Sequence, residues 1–197
     1  NLCIRMANKG EKIKALDNKY YNLNNNILII ADDSSPVSIA GVMGGEESSC
    51  DENTTEVFLE SAYFYSSSVA KSGRSLNILS DARYRFERGV DPTFVDEGVN
   101  IMTHLVREIC GGEVSELVTA GKINLKKKQV QYRYSEVNRI GGIEVDKNKQ
   151  DEILKSLGFQ IENKEDKANL LIPHWRHDVD DEIDCEFAED GNSAGIN

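Results

Sequence analysis

One carboxylate, Glu60, stands in a setting where it could do chemistry. It follows the apolar run at 57–59, which predicts a short strand, and it precedes the small residues Ser61 and Ala62. A carboxylate at a strand end can accept a hydrogen bond from a ligand or act as an acid or base. It can equally be a solvated surface group, which is the usual state of a glutamate. The surrounding motifs must therefore decide between these two roles.

A glycine turn lies upstream of Glu60, where Gly41, Gly44 and Gly45 follow the strand predicted at 37–40. Glycine permits the positive φ of a tight turn and also allows a backbone to approach a ligand closely. Amides in such a turn can stabilise the oxyanion of an ester under attack by water. The spacing matches neither a P-loop nor a dinucleotide-binding fingerprint. The turn thus indicates packing, oxyanion stabilisation, or both.

Downstream, Ser80 supplies a hydroxyl that could orient water. No His or Cys stands near it in sequence, so we do not expect it to be a nucleophile, because a serine nucleophile needs a base. The arginines Arg83, Arg85 and Arg88 follow within eight residues. They can form structural ion pairs with nearby carboxylates or contact a nucleic-acid backbone.

The elements that must position these residues indicate an α+β fold. Strands are predicted at 2–6, 27–31, 37–40 and 57–59, and Ser66 is expected to cap a short helix that ends at 72, with Asn77 as a left-handed terminator. A longer helix should follow Asp91-Pro92 and stop at Gly111-Gly112. Its predicted apolar face consists of Val95, Val99, Met102, Val106 and Ile109. We predict a mixed-sheet domain with packed helices at 1–123, a lysine-rich linker at 124–129, and a small α/β domain at 130–197.

Composition narrows the class of protein. The 197 residues carry a net charge of −11, with eight carboxylates and no Lys or Arg between 178 and 190. This negative net charge argues against general DNA binding, although the three arginines are compatible with a local RNA contact. No apolar run approaches the ~20 residues of a membrane span, and no signal peptide is recognisable. Four widely spaced cysteines suggest neither zinc nor a disulfide scaffold, so we expect the cytoplasm. The chain lacks an initial Met, so we expect a fragment.

Three blocks occur in fixed order: V-S-I-A-G-V-M-G-G at 37–45, L-E-S-A-Y-F at 59–64 and S-D-A-R-Y-R-F-E-R-G-V-D-P at 80–92. They resemble the editing domain of the β subunit of bacterial-type phenylalanyl-tRNA synthetase. The resemblance implies hydrolysis of mischarged Tyr-tRNA(Phe) in a pocket where Glu60 accepts a hydrogen bond from the tyrosine hydroxyl. It implies catalytic roles for Glu60 and Ser80 and tRNA contacts from Arg83, Arg85 and Arg88. The implied pocket is lined by Gly41, Gly44, Gly45, Glu60, Ser80 and Ala82. The family also uses a His that would precede residue 1.

The end of the chain resembles the small domain that follows the editing domain in the same family, through P-H-W-R-H-D at 173–178. The resemblance implies magnesium ligands at Asp178 and Asp184 and a pair of adjacent acids further on. Phe187 and Ala188 occupy the positions of that pair, and Glu189-Asp190 is two places out of register. A solvated acidic tail is the competing interpretation, because magnesium requires tight octahedral geometry. We expect disorder at 191–195.

The resemblance also implies partners: tRNA(Phe), and an α subunit that carries the ATP and phenylalanine chemistry in a heterotetramer of two α and two β subunits. Magnesium and ATP would serve the whole enzyme. Two other functions stay open. The chain could be a non-catalytic tRNA-docking or subunit-interface scaffold, or a metal-dependent hydrolase centred on the acidic end.

Overall fold

In a computed structural model, which describes residues 1–123, 125, 127–164 and 166–185, the apolar runs near the start form a sheet. Its strands are β1 (Cys3–Met6), β4 (Leu28–Ala31), β5 (Pro36–Ile39) and β6 (Met43–Gly44). They pair antiparallel in the order β1-β4-β5-β6. The strands β2 (Lys12–Lys14) and β3 (Tyr20–Asn22) form a separate hairpin. The bounds of β1, β4 and β5 confirm the strands predicted at 2–6, 27–31 and 37–40 to within one residue at each end. Ile27, Ile29 and Ile39 are fully buried.

The helices of this region are α1 (Ser66–Leu76), α2 (Asp81–Phe86) and α3 (Val95–Cys110), with a 3-10 turn at Pro92–Phe94. Asn77 ends α1 in the left-handed region at φ 53°, as predicted. The predicted start and end of α1 are wrong. Tyr65 occupies the N-cap without a side-chain hydrogen bond, and the helix continues through Gly73 to Leu76 before Asn77 ends it.

The strand predicted at 57–59 is wrong. Residues 55–65 have no regular secondary structure, and Val57 and Phe58 are 51% and 75% exposed. An apolar run becomes a strand only where another strand offers hydrogen-bond partners. None of the described residues pairs with this segment, so propensity alone does not produce a strand here.

The apolar face predicted for α3 is only partly buried. Val99 is buried, whereas Ile109 at the far end is 79% exposed. Phe94, Ile101 and Leu105 are also exposed and contribute to an open apolar groove along the helix. The helical period was predicted correctly, but the packing of the last turns was not.

The second unit contains a three-stranded antiparallel sheet. Its elements are β7 (Gln129–Arg133), a π-helical turn (Val137–Gly141), α4 (Lys147–Ser156), β8 (Gln160–Lys164) and β9 (Lys167–Leu171), with strand order β7-β9-β8. Asp146 caps α4 by accepting hydrogen bonds from the amides of Asn148 and Lys149. Tyr132, Leu154 and Leu170 form its fully buried centre.

The division of the chain falls between Ala120 and Gly121, which gives two compact units. Each has its own cluster of buried apolar residues. The predicted α+β class is confirmed, because helices and several small sheets occur together. The tail for which we expected disorder, 191–195, lies outside the described residues. In the described part of the chain, no helix combines the length and apolar character needed to cross a bilayer.

Candidate functional site

The three sequence blocks meet at Gly41. This glycine has φ +66°, and a Cβ built on it would lie 2.9 Å from Val69 Cγ2 of α1. The same Cβ would lie 3.1 Å from Phe64 Cδ2 and 3.3 Å from Phe86 Cγ. The Phe64 and Phe86 rings are themselves in contact, with centroids 5.4 Å apart. One residue from each block therefore packs at a single point, where only glycine fits.

A second link joins the glycine turn to α2 through Ser80. Ser80 is the N-cap of α2: its Oγ accepts a hydrogen bond from the Arg83 amide at 3.1 Å. The same hydroxyl donates to the Val42 carbonyl at 2.5 Å. Since a hydroxyl has one proton, Ser80 has none left to donate to an oxyanion. Ser80 can therefore orient water only by accepting a hydrogen bond from it.

The segment that carries Glu60 is anchored on the C-terminal side of this residue. Ser61 Oγ donates to the Val95 carbonyl at the start of α3, at 2.7 Å. Four residues beyond Glu60, Phe64 is buried in the core of the first unit. Glu60 is therefore held on an irregular segment by tertiary contacts instead of by a strand ladder.

Glu60 itself is exposed, whereas the pocket implied by the resemblance would surround its carboxylate. Nevertheless, surrounding protein atoms remove enough hydration from the carboxylate to raise its pKa above the usual value. These two observations are compatible if protein crowds the carboxylate from one side while water reaches the other. None of the described residues donates a hydrogen bond to Glu60.

The remaining predicted pocket residues separate into two groups. Gly45 serves packing, because a Cβ there would lie 2.7 Å from the Val37 carbonyl oxygen. The Gly45 amide also donates to that carbonyl at 2.8 Å, so it is not free to hold an oxyanion. Gly44 differs: in the described part of the chain, a Cβ there would meet only the Leu16 side chain, at 3.2 Å from Cδ1. Gly44 is half-buried and Ala82 of α2 is exposed, so both can be reached by a ligand.

The three arginines have three different environments. Arg83 is only 9% exposed, and its side chain donates to the Ile78 carbonyl and to Glu87. Its predicted tRNA contact does not fit this position, because a buried guanidinium cannot reach a phosphate. Arg88 lies over the Tyr84 ring, 3.7 Å from its centroid. Arg85 is exposed, and no described residue pairs with it.

The predicted magnesium ligands are engaged by the second unit itself. Arg176 donates Nε to Asp178 Oδ1 and Nη2 to Oδ2, each at 2.8 Å, and these hydrogen bonds lower the pKa of that carboxyl. Asp184 accepts two backbone amides, which lower its pKa. Among the described residues, no three His, Cys, Asp or Glu side chains are grouped to hold a metal ion. They offer no octahedral set of oxygen ligands, and the acids at 189 and 190 lie outside them.

Sequence reasoning missed the residues that hold the site together. Phe64 and Phe86 were part of the quoted blocks, but nothing in their spacing showed that they touch. The link from Ser80 to Val42 spans 38 residues. The cap that Ser80 forms with the amide three residues later is a local pattern that a sequence can show. The carbonyl to which Ser80 donates its proton lies far away in the chain, and no local pattern indicates it.

Two domain families match the chain. The B3/4 domain matches residues 1–111, and the tRNA synthetase B5 domain matches residues 130–189. A phenylalanine–tRNA ligase β subunit from Mesorhizobium japonicum is 48% identical over 184 residues. Another, from Bartonella quintana, is 43% identical over 179 residues. These alignments include 93% and 91% of this chain but only 23% and 22% of the relatives, so the chain spans less than a quarter of their length.

A solved structure is also similar to this chain. It is an N-terminal fragment of the phenylalanyl-tRNA synthetase β subunit from Pyrococcus horikoshii, with 15% identity and a TM-score of 0.43. The match covers 96% of this chain and 55% of that fragment. The domain matches and the sequence relatives confirm the resemblance carried by the three blocks: this chain belongs to the family of phenylalanine–tRNA ligase β subunits.

Proposed function

We propose that the first unit hydrolyses the tyrosyl ester of mischarged Tyr-tRNA(Phe), as the proofreading part of a longer ligase subunit. The observation that carries this proposal is Glu60. Its carboxylate lacks a hydrogen-bond partner among the described residues, is partly stripped of water, and lies on a segment held by Ser61 and Phe64. Such a group gains most from a ligand that brings its own hydroxyl donor.

The discrimination follows from hydrogen-bond energetics. A synthetic pocket shaped for phenylalanine rejects tyrosine poorly, because one added hydroxyl costs little in an apolar site. A second site with a polar partner reverses the preference. Tyrosine supplies a hydroxyl donor to the partly desolvated carboxylate of Glu60, whereas phenylalanine supplies none. The editing site therefore binds the tyrosyl ester and excludes the phenylalanyl ester.

Accessible small residues supply the space for the ring. Among the described residues, Leu16 is the only neighbour that a Cβ at Gly44 would meet within 4 Å, and Leu16 is 53% exposed and can move. Ala82 is exposed on α2, next to the capped start of the helix at Ser80. We assign Gly44 and Ala82 to the pocket, and Gly41 and Gly45 to its support. Glu60 then binds the phenol, and Ser80 Oγ can accept a hydrogen bond from the attacking water.

The rest of the assembly belongs to this proposal as well. Arg85 and Arg88 at the surface of the first unit are the proposed contacts to tRNA(Phe). ATP-dependent attachment of phenylalanine, with magnesium, is assigned to the whole enzyme and its α subunit in a cytoplasmic heterotetramer. The described residues of this chain provide no magnesium site for it.

The test is release of tyrosine from Tyr-tRNA(Phe) by the full-length β subunit produced with its α subunit. We expect Glu60→Ala and Gly44→Trp to slow release, and Glu56→Ala, which removes an exposed carboxylate from the same segment, to leave it unchanged. Equal rates for Glu60→Ala and wild type would contradict the role of Glu60.

A scaffold or tRNA-docking module is the second candidate, and the exposure of Glu60 favours it. It predicts that the wild type binds tRNA(Phe) but releases no tyrosine. The third candidate, a metal-dependent hydrolase, is tested by calorimetry with magnesium. We expect no binding; a binding isotherm that Asp178→Asn abolishes would restore that candidate.

A further inference from the structure

We propose that Arg83 is a positioning residue for the editing pocket, acting through Ser80. This inference rests on the proposed function. Its starting point is the buried guanidinium of Arg83. Arg83 Nη1 donates to the Ile78 carbonyl at 2.6 Å, and Nε donates to Glu87 Oε2 at 2.9 Å. The side chain thus ties α2 to the segment that enters it.

The fold reserves space for this side chain. A Cβ built on Gly73 of α1 would lie 2.3 Å from Arg83 Cδ and 2.5 Å from Nε. Gly73 is fully helical and buried, a position where alanine would ordinarily be better by about 1 kcal/mol. The glycine is therefore explained by the arginine stem that crosses it.

The same residue is connected to the pocket through its backbone. The Arg83 amide donates to Ser80 Oγ, and Ser80 Oγ donates to the Val42 carbonyl. Val42 lies in the glycine turn, two residues before Gly44. The guanidinium fixes Ile78, two residues before Ser80, so a chain of contacts runs from Arg83 to the turn that borders the pocket.

This arrangement predicts a specific kinetic phenotype. Loss of the guanidinium would free the segment at 78–80 and shift Ser80 and the glycine turn relative to the bound ester. A misplacement of about 1 Å at a reacting group costs roughly 100-fold in rate. Because Arg83 touches no substrate, binding of tRNA should change much less than the chemical step. Arg85, which is exposed on the same helix, should show the opposite pattern if it contacts tRNA.

The experiment compares Arg83→Met, which keeps the stem but removes the donors, with Arg107→Met on the exposed part of α3 as a matched control. Deacylation of Tyr-tRNA(Phe) and aminoacylation are measured on the full-length β subunit with its α subunit. For Arg83→Met we expect kcat for deacylation to fall roughly 10- to 100-fold, with KM within about twofold and aminoacylation unchanged. Arg107→Met should match the wild type.

The double variant Ser80→Ala/Arg83→Met tests the route. Residues that act as one unit are not additive, so the double variant should be no slower than the slower single variant. Additive losses in kcat, a change in KM alone, or an unchanged Arg83→Met would each overturn the inference. If Arg83→Met does not fold, Glu87→Ala removes one tether only, and a smaller loss of kcat is expected; no loss would overturn it. An inactive wild type would overturn the proposed function as well, whereas an active wild type with unaffected Arg83→Met overturns the positioning role alone.

Discussion

Replacement of Gly41 by alanine tests whether the three sequence blocks pack at one point. Two costs add. An L-residue at φ +66° pays roughly 1–2 kcal/mol for the left-handed conformation. A methyl group 2.9 Å from Val69 Cγ2 and 3.1 Å from Phe64 overpacks the core, at about 1–3 kcal/mol. Gly→Ala also lowers the entropy of the unfolded chain, which returns about 0.4–1 kcal/mol.

The net destabilisation expected for Gly41→Ala is therefore about 1–4.6 kcal/mol. Gly10→Ala is the matched control, because Gly10 also has a positive φ, +95°, but a Cβ there would meet nothing within 4 Å. The difference between the two variants isolates the packing cost, about 1–3 kcal/mol.

Urea unfolding measures this difference in stability. The single tryptophan allows the unfolding of the two units to be followed separately. The only tryptophan of the sequence is Trp175, which belongs to the second unit. Circular dichroism follows both units, whereas tryptophan fluorescence follows the second. We expect Gly41→Ala to move the transition seen by circular dichroism and to leave the fluorescence transition in place. Equal effects from Gly41→Ala and Gly10→Ala would refute the convergence of the blocks at Gly41.

Four further outcomes are expected from other parts of the chain. In the full-length enzyme, Glu60→Gln should lower the preference for Tyr- over Phe-tRNA(Phe) about tenfold, because an exposed charge-assisted hydrogen bond contributes about 1.5 kcal/mol; Glu56→Gln should not. In the wild type, this preference should fall on acidification as Glu60 takes up a proton. The fall should begin at a higher pH than it would for an ordinary glutamate, because the pKa of Glu60 is raised. A preference that does not depend on pH would contradict this. Tyr132→Phe should lower the free energy of unfolding of the second unit by about 1–3 kcal/mol, measured by tryptophan fluorescence, because it leaves the buried Gln150 oxygen without its 2.7 Å hydrogen bond. The hydrogen bond from Arg5 lowers the pKa of Glu11 to about 2. The loss of Tm in Glu11→Gln should therefore be largest near neutral pH and should shrink as the pH falls below about 4 toward 2. A loss of Tm that does not depend on pH would contradict this.

Local chemistry in the sequence predicted much of the framework. The apolar runs at 27–31 and 37–40, the left-handed terminator Asn77 and the helical start at Asp91-Pro92 each depend on residues within a few positions of one another. The order and spacing of the three blocks also indicated the family, which the relatives confirm.

The failures share a different physical origin. The run at 57–59 has strand propensity, but a strand also needs a partner that no local pattern supplies. Arg83, Arg85 and Arg88 look alike in sequence, and yet one is buried, one is exposed and one covers an aromatic ring.

What this sequence determined by itself is several strands and helices, turn residues such as Asn77, and the family, because capping, periodicity and motif spacing act over short stretches of chain. The tertiary structure alone decided that Glu60 is exposed and unpaired, that the Ser80 proton goes to Val42, and that Arg83 points inward over Gly73. Those outcomes depend on burial and on hydrogen bonds between residues that are far apart in the chain. A side chain's neighbours in space, not in sequence, set its hydration and its partners.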